Sequence, residues 1–243
     1  MTAELKQRIQ IALLIAMSLA AVRAGWIFYQ RHQENRQAES KKQSSSAAPL
    51  NADYYVIPKR LHAYDLKSAR ELTKQPVWVK EGYRYTYYPY DKASRRANLA
   101  REAGTLLPLQ RLEITDVVLA PSPGTPGQKQ LLAVFQEGAK SFAFPIGSES
   151  AGDYRIYADE MLFIEDPREL YKHWSSEIWQ SIERHEVKTG MNELQADFAV
   201  GMGVPERSDD PGTKTVKYPN GGKPLVVTYR DGKAIEIKPG APA

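Results

Sequence analysis

The sequence predicts an α+β chain in four parts. These are an N-terminal transmembrane helix, a linker, a small strand-rich body, and a module of two helices followed by a three-stranded antiparallel sheet. Three observations carry this. The only long apolar stretch lies at residues 9–29. Short runs rich in β-branched and aromatic residues, punctuated by Gly and Pro turns, fill residues 77–164. After Pro167 the apolar side chains switch to helical spacing, then give way to two hairpin turns. A length of 243 residues allows one or two modest domains, and 42% hydrophobic against 26% charged residues supports a packed core.

Composition narrows the chemistry. The absence of Cys excludes disulfides, thiolate metal sites, cysteine nucleophiles and a lipid-modified N-terminal Cys. The net charge of +4 is carried by residues 1–50, where seven basic side chains face three acidic ones. The remaining 193 residues hold 26 of each sign. A nucleic-acid partner is therefore not expected, since it would need a basic footprint on the folded part.

Ile9 to Tyr29 spans 21 residues, which as a helix is roughly 30 Å and one hydrocarbon core. Trp26 and Tyr29 fall where aromatic rings favour the interface, and Arg23 is close enough to the end to snorkel outward. The competing reading is a signal peptide cut after Val22-Arg23-Ala24. The anchor is preferred because apolar character resumes at Trp26-Ile27-Phe28-Tyr29. Residues 1–29 are thus assigned as an anchor whose partner is the lipid bilayer, through residues 9–29. The body is placed on the exoplasmic, periplasmic side, although Arg31, Arg36, Lys41 and Lys42 run against the positive-inside rule. Residues 30–53, rich in Ser, Ala and Gln, form a flexible linker.

The strand-rich body is assigned to residues 54–166. Asp65 caps a short helix from Leu66 to Leu72. Strands follow at Val77–Lys80 and Tyr83–Tyr88, and Asp91 caps a second helix from Lys92 to Ala103. Leu112–Leu119 is a strand, the Pro- and Gly-rich run from Pro121 to Gly127 a loop, and Leu131–Phe135 with Ser141–Ile146 a hairpin. Tyr154–Tyr157 and Met161–Ile164 complete the set. So many short strands predict a small barrel, SH3-like by analogy of pattern.

The last part is assigned to residues 167–243. Asp166-Pro167 starts a helix running from Arg168 to Arg184, with Leu170, Trp174, Ile178 and Ile182 in a stripe flanked by Tyr171 and Trp179. Asn192 caps a helix from Glu193 to Val200. Strands at Lys214–Tyr218, Pro224–Tyr229 and Ala234–Lys238 are joined by Gly-rich turns, the second an Asp-Gly hairpin turn. Val187-Lys188-Thr189-Gly190-Met191, the helix bearing Leu194, Gln195 and Phe198, Gly203-Val204-Pro205, the Tyr218 and Val226-Val227-Thr228-Tyr229 strands and Asp231-Gly232-Lys233 make this stretch similar to the small module of the SmpA/OmlA (BamE-like) envelope proteins. β-Lactamase-inhibitor-protein repeats share its outline. The resemblance covers residues 183–238 and implies an envelope location with a binding or assembly role and no catalysis.

Candidate chemistry is sparse. His173 and His185 stand twelve positions apart, too far to share a metal on one helix, and no metal site or cofactor is expected. Asp159, Glu160, Glu165 and Asp166 bring four carboxylates within eight residues, which offers a calcium site or an acid/base pair to a hydrolase or, more simply, solvated strand edges and a helix cap. Gly138-Ala139-Lys140-Ser141 ends like a phosphate loop without its first Gly and reads as a turn. Arg95, Arg96 and Arg101 read as a solvated helix face. The aromatic strand is the most suggestive surface. Tyr83, Tyr85 and Tyr87 alternate to one face and Arg84, Thr86 and Tyr88 to the other. Trp78, Arg84, Tyr88 and Tyr90 are the expected binding residues, with no catalytic residues. The expected function is that of a membrane-tethered, non-enzymatic protein-binding or scaffolding protein of the cell envelope, with an envelope protein as partner. The alternatives are a cell-wall glycan or peptide binder using the aromatic strand, and a hydrolase with an unrecognised site.

Overall fold

The structure, a computed structural model, describes residues 52–241 except 124, 208, 209 and 211, together with Arg23, Trp26, Tyr29 and Arg31. It corrects the expected membrane anchor and the single-pass location built on it. Among the described residues no helix is long and apolar enough to cross a membrane. Of the segment 9–29 to which the anchor was assigned, only Arg23, Trp26 and Tyr29 fall within the described residues.

Asp65 caps the first short helix, α1 (Leu66–Ala69), as expected. Its Oδ1 accepts from Ser68 N at 2.7 Å while Ser68 Oγ accepts from Asp65 N at 3.0 Å. The helix tightens into a 3-10 turn over Arg70–Lys74. Nine strands follow: β1 (Val77–Val79), β2 (Thr86–Asp91), β3 (Arg96–Ala97), β4 (Gly104–Thr105), β5 (Arg111–Leu112), β6 (Ile114–Pro121), β7 (Gln128–Glu137), β8 (Lys140–Ser150) and β9 (Asp153–Ile156). A one-turn helix α2 (Ala158–Met161) leads into β10 (Leu162–Phe163).

The helix expected over Lys92–Ala103 does not form. Asp91 caps only a turn, accepting from Ala93 N at 3.0 Å and Ser94 N at 3.2 Å. Arg95 then takes φ +57°, which breaks any helix, and Arg96–Ala97 pairs back on β2. The SH3-like barrel is also corrected. The main sheet runs β3-β2-β8-β7-β6, with β4 on β2 and β9 on β8, and remains an open, curled half-barrel. Register shifts at Ile114/Asp116 and Leu131/Leu132 bend its strands. The outer edge at β6 is capped by the 3-10 turn, where Arg70 Nε donates to Val117 O at 3.2 Å.

After Asp166 the long amphipathic helix expected over Arg168–Arg184 divides into α3 (Pro167–Leu170) and α4 (Ser176–Glu183). Ser175 supplies a second N-cap, its Oγ accepting from Ile178 N at 3.4 Å, and Tyr171 stacks on Trp174 at 4.5 Å in the break. Asn192 caps α5 (Glu193–Val200) in a reciprocal capping box with Gln195. The sheet beyond has four strands where three were expected: β11 (Val204–Pro205), β12 (Thr213–Tyr218), β13 (Leu225–Arg230) and β14 (Lys233–Pro239), antiparallel in that order. The extra strand exists because Pro205, after Gly203, leaves the chain extended beside β12.

Strand alternation in the small sheet β10-β1-β5 makes it a partition between two cores. Val77, Val79, Leu112 and Leu162 point into a core with Leu131, Phe135 and Phe144. Trp78 and Phe163 point the other way, into a core with Trp174, Trp179, Phe198 and Tyr218. Residues 55–243 accordingly form one compact unit. A close approach ties its two halves. A Cβ on Gly201, which takes φ +81°, would stand 2.7 Å from Gly82 O, and one on Gly82 would stand 2.1 Å from Pro108 N.

Candidate functional site

The Trp78 side of the partition is covered only in part. There the segment between β4 and β5 faces α3 and α4 across an open groove of about 500 Å3. Trp78 and Leu109 form its half-buried floor, and Leu107 stands on its rim with 40% of its surface exposed. Leu107 is held there because Leu107 N donates to Gln110 Oε1 at 2.8 Å and Pro108 packs against Gly82. The opposite wall is Trp179 and Ile182 of α4, placed by the helical repeat that buries this face.

Charges ring the apolar floor and are mutually satisfied. The Arg168 guanidinium lies 5.6 Å from the Trp179 ring and is ion-paired with Glu183. Asp166 accepts from Arg168 N at 2.9 Å as the cap of α3. Arg111 pairs with Glu113 at 3.0 Å. His185, at φ +55°, has its Nδ1 2.9 Å from Ala199 O. A second depression of about 530 Å3 shares Arg168, Trp179 and Glu183 and continues past them to Trp174 and Lys172. The ion pair is thus a bridge across a longer track.

The four carboxylates that offered an acid/base pair have other work. Residues 56–64 form a strap without helix or strand, turned at His62 by a φ of +52°. Asp159 accepts from Leu61 N at 2.6 Å and His62 N at 2.8 Å, and Glu165 accepts from Lys59 N at 2.9 Å and pairs with Lys59 Nζ at 2.8 Å. These bonds from Lys59 hold the Glu165 carboxyl below its usual range. Lys80 closes the same corner, donating to the Asp159 carbonyl and lying 4.9 Å from the Phe163 ring. Burial lowers its ammonium pKa. With Asp166 capping α3, three of the four acids hold backbone in place. Among the described residues no group of three or more His, Cys, Asp or Glu could hold a metal ion.

The expected binding residues are not brought together. Trp78 lines the groove. Arg84 is exposed, paired with Glu81 at 2.9 Å, its Nη1 3.5 Å from Met202 Sδ. Tyr88 is half-buried on β2 opposite Ala143, and Tyr90 is buried in a small core on the outer sheet face with Val118 and Leu132. The alternation fails at its start. Tyr83 takes φ +65° ahead of β2, near His185 at 6.5 Å, while Tyr85 and Tyr87 pack on the first core as alternation requires. Burial raises the phenol pKa of Tyr85 to about 12.

The groove residues missed in the sequence are Leu107, Leu109, Arg168 and Trp179. Trp179 carried a signal, since it flanks the helical stripe; Leu107 and Leu109 lie in a Leu-Leu-Pro-Leu run that fits neither helix nor strand. The chain matches no family model, no curated protein and no solved structure.

Proposed function

We propose that this is a non-enzymatic binding protein that takes an extended segment of a protein partner into the groove between Trp78 and α4. The observation that carries the reading is an aromatic and aliphatic floor left open on a rigid partition, ringed by charges already paired. Such a groove offers contact area and water exclusion without a reactive group. Catalysis by the carboxylate cluster loses its support because Asp159, Glu165 and Asp166 are occupied with backbone amides. Glycan binding by the aromatic strand loses its support because Tyr90 is buried and stands apart from Trp78. The order of two short helices and an antiparallel sheet over residues 176–239 is what a BamE-like binding module would have, and it supplies the α4 wall.

A selection of random peptides displayed against the full chain tests this. Extended apolar sequences are expected, with binding weakened about tenfold or more by Leu107→Glu. Binders indifferent to that variant, or hits confined to a glycan panel, would refute the groove.

A further inference from the structure

A third depression, of about 700 Å3, lies at the far end of the main sheet, on residues the groove does not use. Three segments converge there: the end of β2, the loop entering β4, and the hairpin turn between β7 and β8. They bring Lys92, Arg101 and Lys140 to one cavity over a floor containing Tyr90 and Phe142.

These cations are uncommitted. Several basic side chains elsewhere have an acidic partner: Arg95 goes to Asp116 at 2.9 Å, Lys129 to Glu149 at 3.2 Å, and Lys217 to Glu206 at 2.6 Å. The side chains of Lys92, Arg101 and Lys140 have no ion pair or hydrogen bond among the described residues. Of the two carboxylates in the lining, Asp91 is turned onto Ala93 N, Ser94 N and Ser94 Oγ, and those bonds keep it ionised by lowering its pKa. With Glu102 and the ionised Asp91 against three cations, the lining keeps one positive charge in excess. In a body with equal numbers of each sign, this is a local imbalance left for a ligand to neutralise.

We infer that this depression binds an acidic stretch of a protein partner, carboxylates to the three cations and an apolar side chain to the Phe142 floor. The cavity argues for spaced carboxylates over a compact phosphate. Its cations come from three separate segments. The Gly138-Ala139-Lys140-Ser141 sequence, which ends like a phosphate loop, is a two-residue hairpin turn at the end of β7 and β8, with no helix behind it.

The test uses the full chain and a fluorescein-labelled peptide of Glu and Asp flanking one Phe, followed by anisotropy. Binding is expected in dilute buffer, weakened about tenfold or more at about 0.3 M salt. Arg101→Glu/Lys140→Glu should abolish it, while the charge-matched Arg230→Glu/Lys233→Glu, on the β13–β14 turn, should retain it. Leu107→Glu should also retain it, so this site and the groove stand or fall separately. Equal binding of the Gln/Asn counterpart peptide, equal loss in the control variant, or tighter binding of inorganic polyphosphate would overturn the inference.

Discussion

Replacing Asp197 by Asn should stabilise the protein at neutral pH and above, and the structure sets the size of the effect. Asp197 sits on α5 with its carboxyl turned toward β12. Gly203 N donates to it at 3.4 Å and the Tyr218 hydroxyl also bonds it. Tyr218 in turn shares a 2.8 Å hydrogen bond with Tyr229. Burial dominates and, with Glu193 nearby, outweighs these bonds and Lys214, pushing the carboxyl pKa from 3.8 up to about 7. A carboxyl whose folded pKa is raised favours the folded state in its protonated form. Its contribution is therefore complete below about pH 4, declines as pH rises toward about 7, and is absent above that. Three units at 1.36 kcal/mol each give a ceiling of about 4 kcal/mol, and water at the partly exposed edge of Asp197 reduces it to about 2. Asn keeps an acceptor for Gly203 and Tyr218 and cannot ionise. Urea unfolding of both proteins at about pH 5 and pH 8 isolates the group, because every other titration cancels in the difference. About two of the three units fall between these pH values, so the advantage of Asp197→Asn over the parent should grow by about 1.3 kcal/mol from the acid to the alkaline end, or about 3–5 °C in Tm. A difference independent of pH, or one that grows toward acid, would refute the assignment of Asp197 as a buried, reluctantly ionised group.

Other substitutions probe the remaining joints. Gly82→Ala should cost about 3 kcal/mol in urea melts, because the new Cβ meets the backbone nitrogen of Pro108 at 2.1 Å. Asp159→Ala should cost about 2 kcal/mol and speed hydrogen exchange at the Leu61 and His62 amides, which lose their shared acceptor. Arg168→Ala should leave stability within about 1 kcal/mol yet raise acrylamide quenching of Trp179, since it removes the cation lying over that ring. Calorimetry should give one transition for residues 55–243, as two cores sharing a partition cannot melt apart; two resolved transitions would contradict it.

Where a residue's local chemistry and its packing agree, the sequence was readable. Asp65, Asp166 and Asn192 cap helices as their side chains dictate, and the Asp231-Gly232 turn closes β13 onto β14. Readings failed where a local signal met a competing one. Asp91 looks like a helix cap, yet no apolar stripe follows to reward a helix, and Arg95 turns the chain back. The stripe from Leu170 to Ile182 is continuous, but Ser175 inside it can cap a helix of its own, and the chain uses that cap. The strap could not be foreseen, because nothing in Asp159 or Glu165 announces that their donors are the amides of residues roughly a hundred positions earlier. The groove was invisible for the same reason: Trp78 and Trp179 are neighbours only because a sheet separates two cores, a long-range consequence of topology.

That topology bears on binding. A strand three residues long has no stability of its own, yet β1 is fixed from both sides, by Val77 and Val79 in one core and Trp78 in the other. The Trp78 ring is thereby held in place before any ligand arrives, so little conformational entropy remains to be lost on docking. Leu107 is also pinned, through Gln110 and through Pro108 against Gly82. The Arg168–Glu183 bridge can move without disturbing a core, because both side chains are about half exposed. Opening it would join the two depressions into one track over Trp179. A rigid floor with one movable crosspiece fits a site that holds a partner's chain along its length, and it leaves specificity to the charges on either side of the bridge.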